Sequence, residues 1–212
     1  MQLYSYFRSS AAYRIRIALN LKQLDYQSQA INLLGGEHKS PEYLAINPQG
    51  LVPSLKTDSG LVLTQTPAIL EWLEENYPQP ALLPSDTGGR ARVRSWCYQI
   101  ACDIHPICNL RVINYVSNEL GGGEAGKLAW LHHWITEGFK TLEQQLASKP
   151  RGPYCYGEQV TLADVFLIPQ VFNALRFNLD MSVFPVIMEI YDSCNRLNAF
   201  MEAVPERQAD SA

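Results

Sequence analysis

Residues 2–20, "QLYSYFRSSAAYRIRIALN", change character partway along. The first five read as a strand. Ile15, Ala18 and Leu19 then recur at the i, i+3, i+4 spacing of a helix face. Ser9 and Ser10 fall at the junction, directly behind Arg8, with no cysteine, histidine or carboxylate beside them. A strand passing straight into a helix opens a βαβ unit, and the following segments extend it. "YQSQAIN" (26–32) reads as a second strand. "VPSLKT" (52–57) and "LVLTQ" (61–65) flank the turn "DSG" and read as a hairpin. "TPAILEWLEENYP" (66–78) reads as a helix, with Thr66 suited to the N-cap and Pro67 to the first helical position. The order is βαβ, a short helix, then ββα, without internal repeat.

Downstream, "PQPALLPSDTGG" (78–89) is rich in proline, glycine and turn formers and reads as a linker. The expected organisation is an α/β domain over 1–80, a linker over 81–89 and an all-helical domain over 90–212. In the helical part Val93, Trp96, Cys97, Ile100, Ala101 and Ile104 form one apolar stripe. Leu128, Leu131, Ile135, Leu142 and Leu146 form another. "TLAD" (161–164) has the form of a capping box, so Asp164 is expected to start a helix rather than act as a catalytic acid. The "WLHHW" run (130–134) reads as packing, and the tail "PERQADSA" as a fraying end.

Composition narrows the function. Of 212 residues, 47% are hydrophobic and 18% charged, which suffices for a core. A formal net charge of -4, without a basic stripe, argues against nucleic acid as the main partner. The five cysteines form no C-x-x-C pair and the histidines complete no zinc pattern, which fits reduced thiols in the cytoplasm. No apolar run approaches the length of a membrane span, and no metal is expected.

The candidate chemistry sits at helix starts. A helix N-terminus presents unpaired N–H groups and the positive end of the dipole, so it favours an anion. At the first junction Ser9 or Ser10 can cap the helix or donate to a bound anion. At the second, Gln65 and Thr66 repeat the arrangement. Two such junctions in one small α/β unit suggest a ligand with separated anionic groups. Pro53 precedes a strand, and an X–Pro bond is trans by default. A cis form would turn the Val52 backbone outward, toward a peptide-like ligand.

Taken together, "LYSYFRSSAAYRIRIALNLK", "INPQGLVPSL", "LTQTPAILEWLEE", "CDIHPICNLRV" and "VTLADVFLIPQV" resemble the zeta-class glutathione transferases, and within that class the maleylacetoacetate isomerases. The resemblance runs from about residue 2 to 205. It implies a thioredoxin-like N-terminal domain, an all-α C-terminal domain, glutathione as coenzyme and a homodimer. One departure is plain: the family pattern has cysteine after the two serines, where this chain has Ala11. The implied reaction tolerates that change. Glutathione's thiolate adds to a cis double bond flanked by carbonyls, the bond rotates, and elimination releases the trans isomer. The nucleophile arrives with the coenzyme, and the protein has to ionise it. Lowering a thiol pKa of about 8.5 by two units takes roughly 2.7 kcal/mol. A hydrogen bond to a charged group contributes about 1.5–3 kcal/mol, and a helix N-terminus about 0.3–1 kcal/mol. Ser9 or Ser10 with the dipole meets that requirement, and the family pattern favours Ser10.

The resemblance further assigns substrate carboxylates to Arg8 and Arg176, with Arg111 a further candidate. A planar guanidinium can hold a carboxylate by two bonds. Ser9, Ser10, Ala11, His38, Val52, Pro53, Gln65 and Thr66 become candidate glutathione contacts, His38 for the glycyl carboxylate. In "CDIHPICNLR" Pro106 is expected to kink a helix, with Asp103, His105, Asn109 and Arg111 around the kink and His105 and Asn109 on one face. By resemblance this segment borders the active site and contacts glutathione. Maleylpyruvate is the nearest alternative substrate, a general transferase or dehalogenase a third reading, and a non-catalytic binding protein a reading of another class.

Overall fold

The computed structural model describes residues 1–148 and 152–211. By contacts the chain divides into two compact units, Met1–Leu82 with Arg196–Ala212, and Leu83–Asn195. The C-terminal segment, which the sequence groups with the helical half, thus packs with the N-terminal unit.

The first unit is built on a four-stranded sheet of order β2-β1-β3-β4, with β1 Gln2–Ser5, β2 Gln27–Ala30, β3 Ser54–Lys56 and β4 Val62–Thr64. β1 runs parallel to β2 and antiparallel to β3, and β3 antiparallel to β4. The helices are α1 Ser10–Leu21, the short α2 Pro41–Leu44 and α3 Thr66–Asn76. This is the βαβ–helix–ββα order expected. The central strands carry the core residues Leu3 and Leu55. α1 and α3 pack together with Ile15, Ile17, Leu19, Ile69 and Leu73 at no exposure, and each such side chain contributes about 1.5–3 kcal/mol. A second apolar cluster joins Tyr4, Ile31, Tyr43 and Val52. Lys22 and Glu74 form a buried ion pair at 2.5 Å. Lys22 also donates to the Tyr77 and Pro80 carbonyls, and Glu74 accepts from the Leu82 N–H. With those further bonds the buried charges are satisfied.

Through Ser211 the tail is folded rather than frayed. α9 Asn198–Met201 and two 3₁₀ turns follow one another, and Asn20 and Arg16 of α1 donate to the Ala199 and Ala203 carbonyls.

The second unit is helical: α4 Thr87–Tyr98, α5 Leu110–Asn114, α6 Gly123–Ala147, α7 Leu162–Arg176 and α8 Pro185–Cys194. α4 starts inside the stretch read as linker. Asp86 caps it by accepting from the Gly89 N–H at 2.7 Å, so Thr87–Gly89 are its first turn. Of the two expected stripes, Val93, Trp96, Cys97, Ile100, Ile104, Leu131, Ile135, Leu142 and Leu146 are buried, joined by Phe139. α7 is buried over almost its whole length, as a helix apolar all round should be. Its capping box is present: the Thr161 N–H and hydroxyl donate to Asp164 Oδ2 at 2.7 and 3.0 Å. The Cys155 N–H reaches Oδ1 at 2.8 Å. Glu143 of α6 accepts from the Val186 and Ile187 N–H groups at the start of α8.

Candidate functional site

In the first unit, sheet register gathers the expected residues at one end. Ser54 pairs with Tyr4 on one side and Thr64 on the other. The exit of β1, the entry to β3 and the exit of β4 therefore share an edge. That edge carries the start of α1, the Val52–Pro53 segment and the start of α3. The Ile31 N–H bonds to the Ser5 carbonyl and brings the exit of β2 to the same edge.

The two serines separate there. Ser9 is the N-cap of α1. Its Oγ accepts from the Ala12 N–H at 3.2 Å and its carbonyl from the Tyr13 N–H at 2.8 Å. Ser10 is the first helical residue and is buried. Its hydroxyl has no hydrogen-bond partner among the described residues. The backbone N–H groups of Ser10 and Ala11, in the first turn, have no intrahelical acceptor. Capping thus uses one hydroxyl and leaves the other. Arg8 is exposed, its guanidinium 4.9 Å over the Phe7 ring. Ala11 is buried in the first turn.

At the second junction the cap shifts by one residue. Gln65, not Thr66, is the N-cap, with φ 68° and ψ 112° and no side-chain cap bond, and Pro67 follows Thr66. A positive φ is uncommon for a residue with a side chain and is what aims the first turn of α3 here. The Gln65 amide donates to Gln49 Oε1 at 2.8 Å, and Thr66 is buried. With no side chain capping it, the N-terminus of α3 stays open to an anion.

The Val52–Pro53 bond is cis, against the default. The Tyr43 hydroxyl at 2.6 Å and the Asn47 amide at 2.7 Å both donate to the Leu51 carbonyl and hold the preceding loop. Neither backbone group of Val52 enters a hydrogen bond among the described residues, so a peptide's own N–H and C=O can pair there. His38 sits in a 3₁₀ turn, its backbone carbonyl against Gly50 and its buried Nδ1 without a partner. Burial, with a lesser effect from the Lys39 charge, holds its pKa below the usual value. The shift favours the neutral ring, which can still donate one N–H.

In the second unit the segment around Pro106 differs from expectation. α4 continues as a π-helical stretch, Gln99–Ile104, closed by the His105 N–H on the Ile100 carbonyl at 2.8 Å. The helix then ends instead of kinking, because Pro106 lacks an N–H and its ring would clash with the preceding turn. Asn109 starts α5 as its N-cap, its Oδ1 accepting from the Val112 N–H at 3.1 Å. His105 and Asn109 therefore do not share a helical face, and the Asn109 side chain has a structural task. Asp103 and Arg111 are exposed and His105 half-buried. Trp130 Nε1 donates to the Ile107 carbonyl at 2.8 Å and pins the segment to α6.

Arg176 ends α7. Its guanidinium takes Asn173 Oδ1 at 3.1 Å and stacks 4.4 Å over the Phe177 ring. Lys127 Nζ lies 5.8 Å from the same ring, and His132 Nε2 bonds the Phe177 carbonyl at 2.8 Å. Sequence reasoning missed Lys127 and Gln49, which no short motif ties to Phe177 and Gln65, and it missed Phe177 although that residue directly follows Arg176. It also read His132 only as packing. A cavity of about 420 Å³ in this unit, lined by Arg92, Leu146, Tyr154, Cys155, Val186 and Ile190 among others, contains none of the candidate residues.

None of the five cysteines is in a disulfide, and all but Cys102 are buried. Burial pushes the Cys108 thiol up to about 12 and raises Cys155 and Cys194 too. Such thiols are protonated at neutral pH and poor nucleophiles. What the first unit offers is a place to hold a thiolate and a peptide backbone.

Two family models and full-length relatives match the chain. Residues 8–76 match the family model for the glutathione S-transferase N-terminal domain, and residues 135–203 that for the C-terminal domain. A maleylacetoacetate isomerase of Pseudomonas aeruginosa is 46% identical over 100% of this chain and 99% of its own length. A holo structure of a bacterial zeta-class maleylpyruvate isomerase is 47% identical, with full coverage of both chains and a TM-score of 0.98. The maleylacetoacetate isomerase of Methylobacterium extorquens AM1, solved with malonate and glutathione bound, is 37% identical with full coverage and a TM-score of 0.96.

Proposed function

This chain belongs to the glutathione S-transferase family, among its zeta-class isomerases. From that premise we propose that it catalyses the glutathione-dependent cis–trans isomerisation of a maleyl keto diacid, with maleylacetoacetate converted to fumarylacetoacetate as the leading reaction. One observation carries the reading beyond likeness: Ser10 keeps an uncommitted hydroxyl at the open start of α1 while Ser9 satisfies the cap. The unpaired Val52 backbone gives glutathione's peptide a partner. The starts of α1 and α3 receive its anionic groups, and Gln65, Thr66 and His38 supply polar contacts. In this reading Ser10 donates to the thiolate, and Ala11 in place of the family cysteine costs nothing essential, because the reacting sulfur is glutathione's. Arg8, and in the helical unit Arg176 and Arg111, are the substrate's carboxylate partners. Asp103 and His105 stay candidate contacts for glutathione. For Asn109 the cap leaves only the side-chain N–H groups to offer.

Maleylpyruvate is the second reading, favoured by the 47% identity and 0.98 TM-score to an isomerase of that acid. We further assign the enzyme to aromatic amino-acid breakdown, the cytoplasm and a homodimeric state. Cysteines without disulfides and a glutathione coenzyme suit a reducing compartment. The decisive experiment follows the loss of cis-olefin absorbance for each maleyl acid, with and without glutathione. Glutathione-dependent turnover is expected, with the higher kcat/KM naming the substrate. Failure to turn over either acid would refute the proposal.

A further inference from the structure

The loop that carries Arg8, Ser9 and Ser10 is tied to the far end of the chain. The Phe7 N–H donates to Asp210 Oδ2 at 2.9 Å. On the other side of the same residue, the Phe7 carbonyl accepts from Arg16 Nη2 at 3.1 Å. Arg16 is fully buried, and its other nitrogens reach the Ala203 carbonyl at 2.9 Å and the Ser5 hydroxyl at 3.2 Å. One guanidinium therefore links the end of β1, the serine loop and the C-terminal segment. Asp210 is itself held in a 3₁₀ turn, Ala209–Ser211. The Ser211 hydroxyl bonds the Glu206 carbonyl, and the Gln208 amide bonds those of Glu202 and Val204. The Ser9 N–H returns to the Tyr6 carbonyl at 2.9 Å and completes the turn.

Phe7 is thus gripped at its N–H and its C=O, immediately before the residues assigned to thiolate and carboxylate binding. A carboxylate accepting a backbone N–H and a guanidinium donating to a carbonyl are both charge-assisted bonds, stronger and shorter than neutral ones. We propose that Asp210, with Arg16, is a positioning residue for the reaction: the C-terminal segment fixes the register of the serine loop, and the last turn of the chain belongs to the catalytic apparatus without touching substrate. This rests on the proposed role of Ser10. It predicts that small changes at the extreme C-terminus alter glutathione ionisation.

The test uses the full-length protein and the variants Asp210→Ala and Asp210→Asn. Asparagine keeps a carbonyl acceptor for the Phe7 N–H, and alanine does not. The pKa of enzyme-bound glutathione is read from ultraviolet thiolate absorbance, beside kcat, KM and the melting temperature. In Asp210→Ala the bound thiol's pKa should rise by about one unit, from about 6.5 to about 7.5, and kcat/KM should fall about threefold at pH 7, well short of the roughly hundredfold that a 1 Å misplacement can cost. Asp210→Asn should recover most of both. A purely structural tail would lower the melting temperature and leave the pKa and kinetics of folded molecules unchanged, which would overturn the proposal. An asparagine variant as impaired as the alanine one would overturn it too. Hydrogen exchange at the Phe7 amide, measured without substrate, separates this failure from that of the proposed function. Protection lost in Asp210→Ala and kept in Asp210→Asn supports the tether even if neither maleyl acid is turned over. Equal protection in all three proteins refutes it.

Discussion

Replacing Ser10 by alanine should damage ionisation of the coenzyme and spare the fold. The hydroxyl has no partner among the described residues, whereas Ser9 bonds the Ala12 N–H at 3.2 Å. Ser10→Ala therefore removes nothing the folded chain uses, and alanine is a good helix former. In the complex it removes one hydrogen bond to a charged sulfur, about 1.5–3 kcal/mol, or about 1.1–2.2 pKa units at 1.36 kcal/mol per unit. From a bound-thiol pKa of about 6.5, two units below the free thiol, the value moves to about 7.6–8.7. The thiolate fraction at pH 7 then falls about 4- to 40-fold. Spectrophotometric titration of bound glutathione measures this directly, and kcat/KM at pH 7 should drop in parallel, with partial recovery at higher pH. Ser9→Ala should show the reverse pattern, with lost cap stability of about 0.5–2 kcal/mol and a smaller change in the thiol. A Ser10→Ala enzyme with an unchanged thiol pKa, or a Ser9→Ala enzyme with the larger shift, would refute the division of labour.

Three further outcomes are expected. His38 should titrate below its usual value of 6.5 in the free protein, since burial disfavours the cation; a glycyl carboxylate at its ring favours the cation, so glutathione should raise that pKa with proton uptake, and an unmoved NMR titration would remove His38 from the site. Asp164→Ala should destabilise by about 1.5–5 kcal/mol, adding about 0.5–2 for the cap to about 1–3 for the stranded Cys155 N–H, and a denaturation midpoint equivalent to less than about 1 kcal/mol would contradict the capping account. Of the five thiols, Cys102 alone should react quickly with a thiol reagent in the native state and all five after denaturation, because the others are buried; rapid labelling of two or more would contradict this.

The elements with a strong local code were legible. The strand–helix junction at residues 2–20, the hairpin around "DSG" and the capping box at Thr161–Asp164 follow from side-chain period and turn chemistry, which act over a few residues. Positions decided by tertiary partners were not. Thr66 looks like a cap, yet the left-handed Gln65, whose amide meets Gln49, takes that place. Pro106 marked a disturbance correctly, but whether a helix kinks or stops there depends on the π-helical turn before it and the Asn109 cap after it. "PERQADSA" is polar throughout, and a polar tail is ordered only by what it meets. Its acceptor for the Phe7 N–H, Asp210, lies 203 residues from the loop it holds, beyond any spacing rule. For the site, the hydroxyls and the helix starts could be read from the chain. Which serine stays uncommitted needed coordinates.

The central claim is that the reacting sulfur belongs to glutathione and not to this chain. Its most direct test is the isomerisation rate of a maleyl acid by protein stripped of small thiols, followed as glutathione is restored in amounts far below the substrate. The account predicts no turnover beforehand, then a rate that saturates with glutathione, each molecule serving many cycles and remaining unconsumed. Full activity in the stripped protein, or one glutathione consumed for every substrate converted, would contradict it.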